Sequence, residues 1–304
     1  MKNHNSDSAA TGLLAGVAAY FIWGVAPLYF KLLDDLSALE ILSHRSIWSL
    51  VLALIMLAVL GKLAGLREVL CTRKTVVALL VTTALISCNW LIFIWAINSD
   101  HILDASLGYY INPIFSILLG VVAMGERLRP LQWFAVCLAA VGISYEIWSY
   151  GRLPLVALGV ALTFGLYGLV RKKTPVDSLT GLTVETLFML PLALGFLFWS
   201  SSPTSNLLNN SWQMNALLIA AGPVTLTPLL LFNIAARRLN LSTLGFLQYI
   251  GPTLMFVFAT VLYQEPLTSA KLVTFAFVWV ALIFYSVDAL MQRRRQRRRQ
   301  QAMA

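Results

Sequence analysis

Charge is what this chain has least of. Only 12% of its 304 residues are Asp, Glu, Lys or Arg, against 59% hydrophobic, and a water-soluble domain carries about twice that charge. Six stretches hold none: 8–30, 75–99, 105–124, 153–170, 186–236 and 239–264. Cysteine is scarce too. Cys71, Cys88 and Cys137 are odd in number and lack metal-ligand spacing, which argues against a disulfide framework or a metal site. His4, His44 and His101 fall in separate regions. There is no phosphate loop, no two-histidine metal motif and no Gly-x-Ser-x-Gly. Neither a cofactor nor a covalent mechanism is therefore expected. A membrane-embedded enzyme or lipid-handling protein is the alternative, with the scattered Asp100, His101 and Asp104 as its candidates.

What is present is apolar length. A spanning helix needs roughly 20 mostly apolar residues. Ten spans follow, at about 11–33, 38–60, 76–97, 103–123, 131–149, 153–170, 179–199, 212–235, 243–263 and 270–290. The long uncharged stretch at 186–236 divides at the Ser-, Asn- and Pro-rich 200–211, read as a neutral loop. The apolar runs are continuous, so helices are expected rather than a barrel. The longest loop on the Lys/Arg-rich side is 61–75. Eighteen of the 22 Lys and Arg fall on the side of the N-terminus, and the opposite side holds only Lys31, Arg152 and Lys271. Positive residues stay inside, so both termini are expected in the cytoplasm. The six arginines of 293–299 directly follow a span, which points to anionic lipid rather than nucleic acid.

One passage occurs twice. Residues 110–113 read Tyr-Ile-Asn-Pro and residues 249–252 read Tyr-Ile-Gly-Pro. Thirteen positions past each proline stands a glutamate, Glu126 and Glu265, then Leu128 and Leu267, all with one offset of 139. Five spans separate the copies, and an odd number turns the second copy over. The expected fold is therefore an all-α polytopic membrane protein whose ten transmembrane helices form two inverted five-helix repeats, an arrangement typical of transporters. The halves are 1–150 and 151–291, followed by a basic tail, 292–304. Their first spans also correspond, Ala19-Tyr-Phe-Ile-Trp-Gly24 with Thr163-Phe-Gly-Leu-Tyr-Gly168.

Two five-helix halves, each ending in proline, twelve residues, Glu, x, Leu and a further helix, resemble the EamA family of the drug/metabolite transporter superfamily. Within it the chain is similar to the RarD-like permeases, through stretches such as His44-Arg-Ser-Ile-Trp48, Asn89-Trp-Leu-Ile-Phe-Ile-Trp95, Ala105-Ser-Leu-Gly-Tyr109, Tyr167-Gly-Leu-Val-Arg-Lys-Lys173 and Ser242-Thr-Leu-Gly-Phe246. The resemblance covers nearly the whole chain. It implies a permease of the bacterial inner membrane that exports small organic molecules, and it leaves the substrate open. With both halves fused, a monomer suffices.

Several residues are candidates for the site. Arg45 lies about eight residues into the second span, roughly 12 Å deep, where an uncompensated charge costs a few kcal/mol. It either anchors a carboxylate or a gate, or pairs internally with Glu40 or backbone carbonyls. His44 beside it is of the side-chain type that can change charge around neutral pH, but it points about 100° away. Glu185 is the counterpart in the second half. It is a candidate for proton coupling or for pairing with Arg45, and its alternative partners are Arg171, Lys172 and Lys173. Glu126 and Glu265 precede helices whose positive ends suit a carboxylate, and a gating role is the alternative. Pro113 and Pro252 are candidate hinges. Tyr20, Trp23, Asn89, Trp90, Trp95, Tyr109, Tyr110, Asn112, Tyr167, Asn233, Gln248 and Tyr249 form a central set of rings and amides suited to an amphipathic cavity or to helix packing. Trp133, Trp148, Trp199 and Trp212 sit near span ends, as interface anchors do.

Overall fold

The computed structural model describes residues 2–33, 35–98, 102–151, 155–200, 202, 204, 206–262 and 269–301. Glu265, Asp100 and His101 lie outside them, as do the side chains of Asp104 and of 293–301. The described residues form helices α1 (Lys2–Phe30), α2 (Ala38–Val59), α3 (Leu63–Cys71), α4 (Arg73–Asn98), α5 (Ile102–Met124), α6 (Pro130–Tyr150), α7 (Leu155–Lys173), α8 (Ser178–Trp199), α9 (Trp212–Arg238), α10 (Leu241–Gln248), α11 (Ile250–Val257) and α12 (Ser269–Gln301). No strand occurs among them. Ten helical segments are long and apolar enough to cross a membrane, with α10 and α11 making one of them together. The chain is an all-α polytopic membrane protein.

Local chemistry sets the helix ends. Ser37, Asp177 and Ser211 each accept a hydrogen bond from the backbone N–H three residues on, at 3.2, 3.3 and 3.2 Å, which satisfies donors that a helix start leaves free. Pro130 opens α6, and Gly151, at φ 75°, closes it. One expectation needs correction. The stretch 61–75 is not plain loop but contains α3, which packs on α4 and α8. The described residues of the neutral segment 200–211 are loop, as expected, and the loop is anchored. Buried Ser202 and Thr204 donate their hydroxyls to the Glu40 carboxylate on α2.

The ninth span is broken where the other proline-containing spans are not. α10 ends at Gln248, α11 begins at Ile250, and a π-helical turn follows at Phe258–Leu262. Pro252 is the cause. It offers no N–H to Gln248 and its ring crowds that carbonyl. Pro113, at the corresponding place, sits inside an unbroken α5.

Helices pack across the two halves in a pattern that survives exchanging them. α2 meets α8, α6 meets α12 and α5 meets α10. The contacts of α1 with α9 are matched by those of α7 with α4, and those of α2 with α9 by those of α8 with α4. Gly222 brings the backbones of α2 and α9 together. A Cβ there would stand 2.6 Å from the Trp48 carbonyl carbon, and the Ser49 hydroxyl donates to the Gly222 carbonyl at 3.2 Å.

The basic residues gather on one face. Lys62 pairs with Asp177 at 3.7 Å and Arg129 with Asp288. Lys172 donates to the carbonyls of Ala236 and Leu239 at the end of α9, where the helix dipole favours a cation. Glu126 joins this face as well. It lies beside the start of α6, but its carboxylate accepts from the N–H groups of Leu241 and Ser242 at 2.6 and 2.9 Å and from the Ser242 hydroxyl at 2.7 Å. It thus caps α10, in the other half of the chain. Trp133, Trp148, Trp199 and Trp212 are exposed near helix ends.

Two substitutions test this packing. Gly222→Ala should lower stability by about 3 kcal/mol, the upper end for overpacking, read as earlier thermal unfolding in detergent. Glu126→Ala should remove about 2 kcal/mol, because it frees two backbone donors and a charge-assisted cap. Glu126→Gln should recover part of that loss.

Candidate functional site

A cavity of about 510 Å³ occupies the middle of the bundle and extends to the turn between α1 and α2. Call the end with that turn the far face, opposite the basic face. Helices α1, α2, α4, α5, α7, α9, α10 and α11 contribute lining residues. α1 supplies Tyr20, Trp23 and Phe30; α4 supplies Asn89, Trp90 and Phe93; α5 supplies Tyr109 and Asn112; α7 supplies Phe164; the α10–α11 break supplies Gln248 and Pro252. The lining is aromatic with a few amides, as in sites for amphipathic small molecules.

The amides are held in place. Asn89 donates to the Val160 carbonyl and the Thr163 hydroxyl at 2.8 and 2.9 Å. Gln248 accepts from Ser116 at 3.3 Å. The Asn112 side-chain oxygen is buried without a partner. The break at Pro252 places Gln248 at the end of α10, on the cavity wall. Below the cavity lies an aromatic floor. Tyr20, Trp23, Phe164 and Tyr167 surround Phe232, with Tyr167 and Phe232 stacked at 6.0 Å between ring centres.

Arg45 also lines the cavity. Its Nε donates to the Thr225 hydroxyl at 3.0 Å. Its guanidinium carbon lies 4.4 Å from the centre of the Trp90 ring and 5.5 Å from that of Phe30, a cation–π arrangement. It pairs with neither Glu40 nor Glu185. No carboxylate among the described residues forms an ion pair with it.

Glu185 belongs to a second group of polar residues, nearer the basic face than the aromatic floor. Arg171 Nε stands 3.5 Å from its carboxylate. Thr82 donates to the same carboxylate at 2.5 Å and Tyr167 at 3.3 Å. Asn233 donates to the Tyr167 hydroxyl at 3.1 Å and accepts from Arg171 Nε at 3.1 Å. All five side chains are buried, and they join α4, α7, α8 and α9. The backbone at Gly181 makes room, since a Cβ there would overlap the Arg171 guanidinium.

The central set thus divides. Tyr20, Trp23, Arg45, Asn89, Trp90, Tyr109, Asn112 and Gln248 line the cavity. Tyr167, Glu185 and Asn233 form the charged layer below it. His44 turns away, as its 100° offset from Arg45 requires, and bonds Thr204 at 3.0 Å. Tyr110 packs edge-on against Phe275 of α12, and Tyr249 is buried in the cluster between α5, α6 and α12. Trp95 is exposed and does not line the cavity.

Sequence reasoning missed Thr82, Thr225 and Phe164 and offered Arg171 as one of three cations for Glu185, of which the structure pairs Arg171 with it. The internal offset carries a signal for three of these. Phe164 stands opposite Tyr20 in the first-span correspondence, 144 residues on. Thr82 and Thr225 stand 143 apart, and their partners Glu185 and Arg45 stand 140 apart.

The Arg171–Glu185 pair has a measurable signature. Arg171→Ala should destabilise the protein by about 3–5 kcal/mol, because it strands a buried carboxylate. Arg171→Met combined with Glu185→Gln should recover most of that loss. Thermal unfolding of the singles and the double in detergent checks the non-additivity.

Comparison with known proteins agrees with this architecture. The profile of the EamA-like transporter family matches twice, over residues 10–145 and 153–287. An uncharacterized transporter of Vibrio cholerae is 53% identical over 94% of this chain and 95% of its own length. Protein RarD of Escherichia coli is 50% identical over 93% of this chain and 96% of its own. The chloramphenicol-sensitive protein RarD of Pseudomonas aeruginosa is 32% identical over 95% and 97%. A solved crystal structure with 17% identity superposes with a TM-score of 0.70, covering 91% of this chain and 97% of the other, and shares the fold. Two family matches in tandem and relatives half identical along nearly their full length make this chain a member of the EamA-like transporter family, and so a multi-pass membrane transporter of the drug/metabolite type.

Proposed function

We propose that this transporter exports small organic metabolites or amphipathic compounds from the cytoplasm by alternating access. The observation that carries the proposal is the pairing of a cavity with a barrier. An aromatic, amide-lined space reaches the far face. Toward the basic face it is followed by the aromatic floor and then by the buried layer of Arg171, Glu185, Thr82, Tyr167 and Asn233. Such a layer has two discrete states, bonded or broken, which is what a gate requires.

In this reading the basic face is cytoplasmic, following the positive-inside rule, and the membrane is the bacterial inner membrane. Both termini are cytoplasmic, and the arginine-rich tail 292–304 rests on anionic lipid. The halves 1–150 and 151–291 are inverted repeats. The exchange-symmetric helix contacts and the tandem family match support this. The captured state faces outward. Opening the opposite way breaks the Glu185 layer and closes the α1–α2 end, with the helix break before Pro252 as one hinge and Pro113 as its counterpart. Substrate rests on the cavity residues Tyr20, Trp23, Arg45, Asn89, Trp90, Tyr109, Asn112 and Gln248. A monomer contains the whole path.

Sided labelling tests both the topology and the gate in a protein whose Cys71, Cys88 and Cys137 are replaced. Cysteines beside Glu126 and beside Glu265 should react with an impermeant maleimide from opposite compartments. A cysteine at Ile41, on the cavity wall, should react from the outside. Adding Glu185→Gln should raise its reactivity from the inside several-fold. Labelling of both loop cysteines from one side would overturn the inverted arrangement. Unchanged sidedness at position 41 would overturn the gate.

A further inference from the structure

The guanidinium of Arg45 is only partly used by the protein. Its Nε is taken by a neutral hydroxyl, Thr225, and its flat surface rests near Trp90 and Phe30. Its two terminal nitrogens have no hydrogen-bond partner among the described residues, and neither is sealed from the cavity. These two nitrogens form the fork that matches a carboxylate through paired hydrogen bonds. The contrast with Arg171 is direct. Arg171, in the last turn of α7, faces Glu185 and donates to Asn233 and the Ser178 carbonyl, and only its Nη1 is left over, sealed from solvent.

An arginine within a membrane bundle normally faces water or a partner charge. Here the protein supplies ring faces and one hydroxyl, and no acid among the described residues. Among the described residues, Lys31 is the other charged side chain on the cavity wall. The described wall thus holds no carboxylate to receive an ammonium. The same cavity wall carries the rings of Trp23, Phe93, Tyr109 and Phe164.

We infer that the cavity selects organic monocarboxylates that have a flat apolar body and no free ammonium group. The carboxylate sits on the Arg45 fork and the body lies among the rings. A zwitterion such as an amino acid brings a second charge for which the described wall offers no counter-ion. A phosphate dianion brings more charge than one fork neutralises. The inference rests on reading the cavity as the transporter's binding site, and it adds the chemical class of the cargo.

The test is equilibrium binding to the purified full-length protein in detergent. The probes are benzoate, 3-phenylpropionate and indole-3-acetate, together with 3-phenylpropanamide, 3-phenylpropylamine, phenylalanine and phenyl phosphate. At least one carboxylate should bind ten-fold or more tightly than the amide, the amine, phenylalanine and phenyl phosphate. Arg45→Gln should abolish that preference, and a cooperative thermal unfolding transition in detergent shows that the variant is folded. Arg45→Lys should keep a weakened preference, since it retains the charge and loses the fork. The inference fails if no carboxylate binds, if any of the other four probes binds as well as the best carboxylate, or if Arg45→Gln leaves carboxylate affinity unchanged. Flux into proteoliposomes separates this outcome from the transport reading. A carboxylate that binds at Arg45 but never crosses would sink the alternating-access proposal alone. A neutral or cationic compound that crosses while carboxylates neither bind nor move would sink this one alone.

Discussion

A charge inside a helix bundle surrounded by lipid has to be answered by another group, because hydrocarbon offers it nothing. Most of the architecture around the cavity follows from how two such charges are answered. The carboxylate of Glu185 receives a guanidinium, a phenol and a threonine hydroxyl, and is closed off from solvent. The guanidinium of Arg45 receives a threonine and ring faces, and stays on a cavity wall. One charge is spent on holding four helices together. The other meets no carboxylate among the described residues.

The backbone obeys the same constraint. Every helix start within reach of the membrane must satisfy its free N–H groups. Ser37, Asp177 and Ser211 do so locally. α10 does so with a carboxylate from the other half, Glu126. Where a proline removes a donor altogether, the helix either runs through, as α5 does at Pro113, or breaks, as the ninth span does before Pro252. The break falls beside the cavity, where freed backbone can meet a polar lining rather than lipid.

The fold was legible in the sequence because apolar length is a one-dimensional signal. Spans of about twenty residues show in the residue order, and the ten helical crossings fall where those runs lie. The depth of Arg45 was legible for the same reason. Its partners were not, because Thr225 stands 180 residues away and nothing local marks it. Glu185 was open between several cations, and only the packing of both α7 and α8 against α9 and α4 selects Arg171. Adjacent rings were the hardest to assign. Tyr109 faces the cavity and Tyr110 faces α12, and composition cannot separate neighbours that differ only in azimuth. Glu126 shows a further limit. A carboxylate suited to a helix start was correctly expected, but the helix it serves is 115 residues downstream.

The missing side chain at Gly222 has a mechanical consequence. With the α9 main chain resting on the main chain of α2 at Trp48, and Ser49 bridging them, no cushion of methyl groups separates the two rods. Rods in bare contact can tilt about the point of touch, but they cannot slide lengthwise without climbing over the next residue. Any large motion of α2 relative to α9 is therefore a seesaw with a fixed fulcrum. Its far-face arm carries Arg45, while Thr225 stays on α9, so a tilt moves the guanidinium against the hydroxyl that holds it.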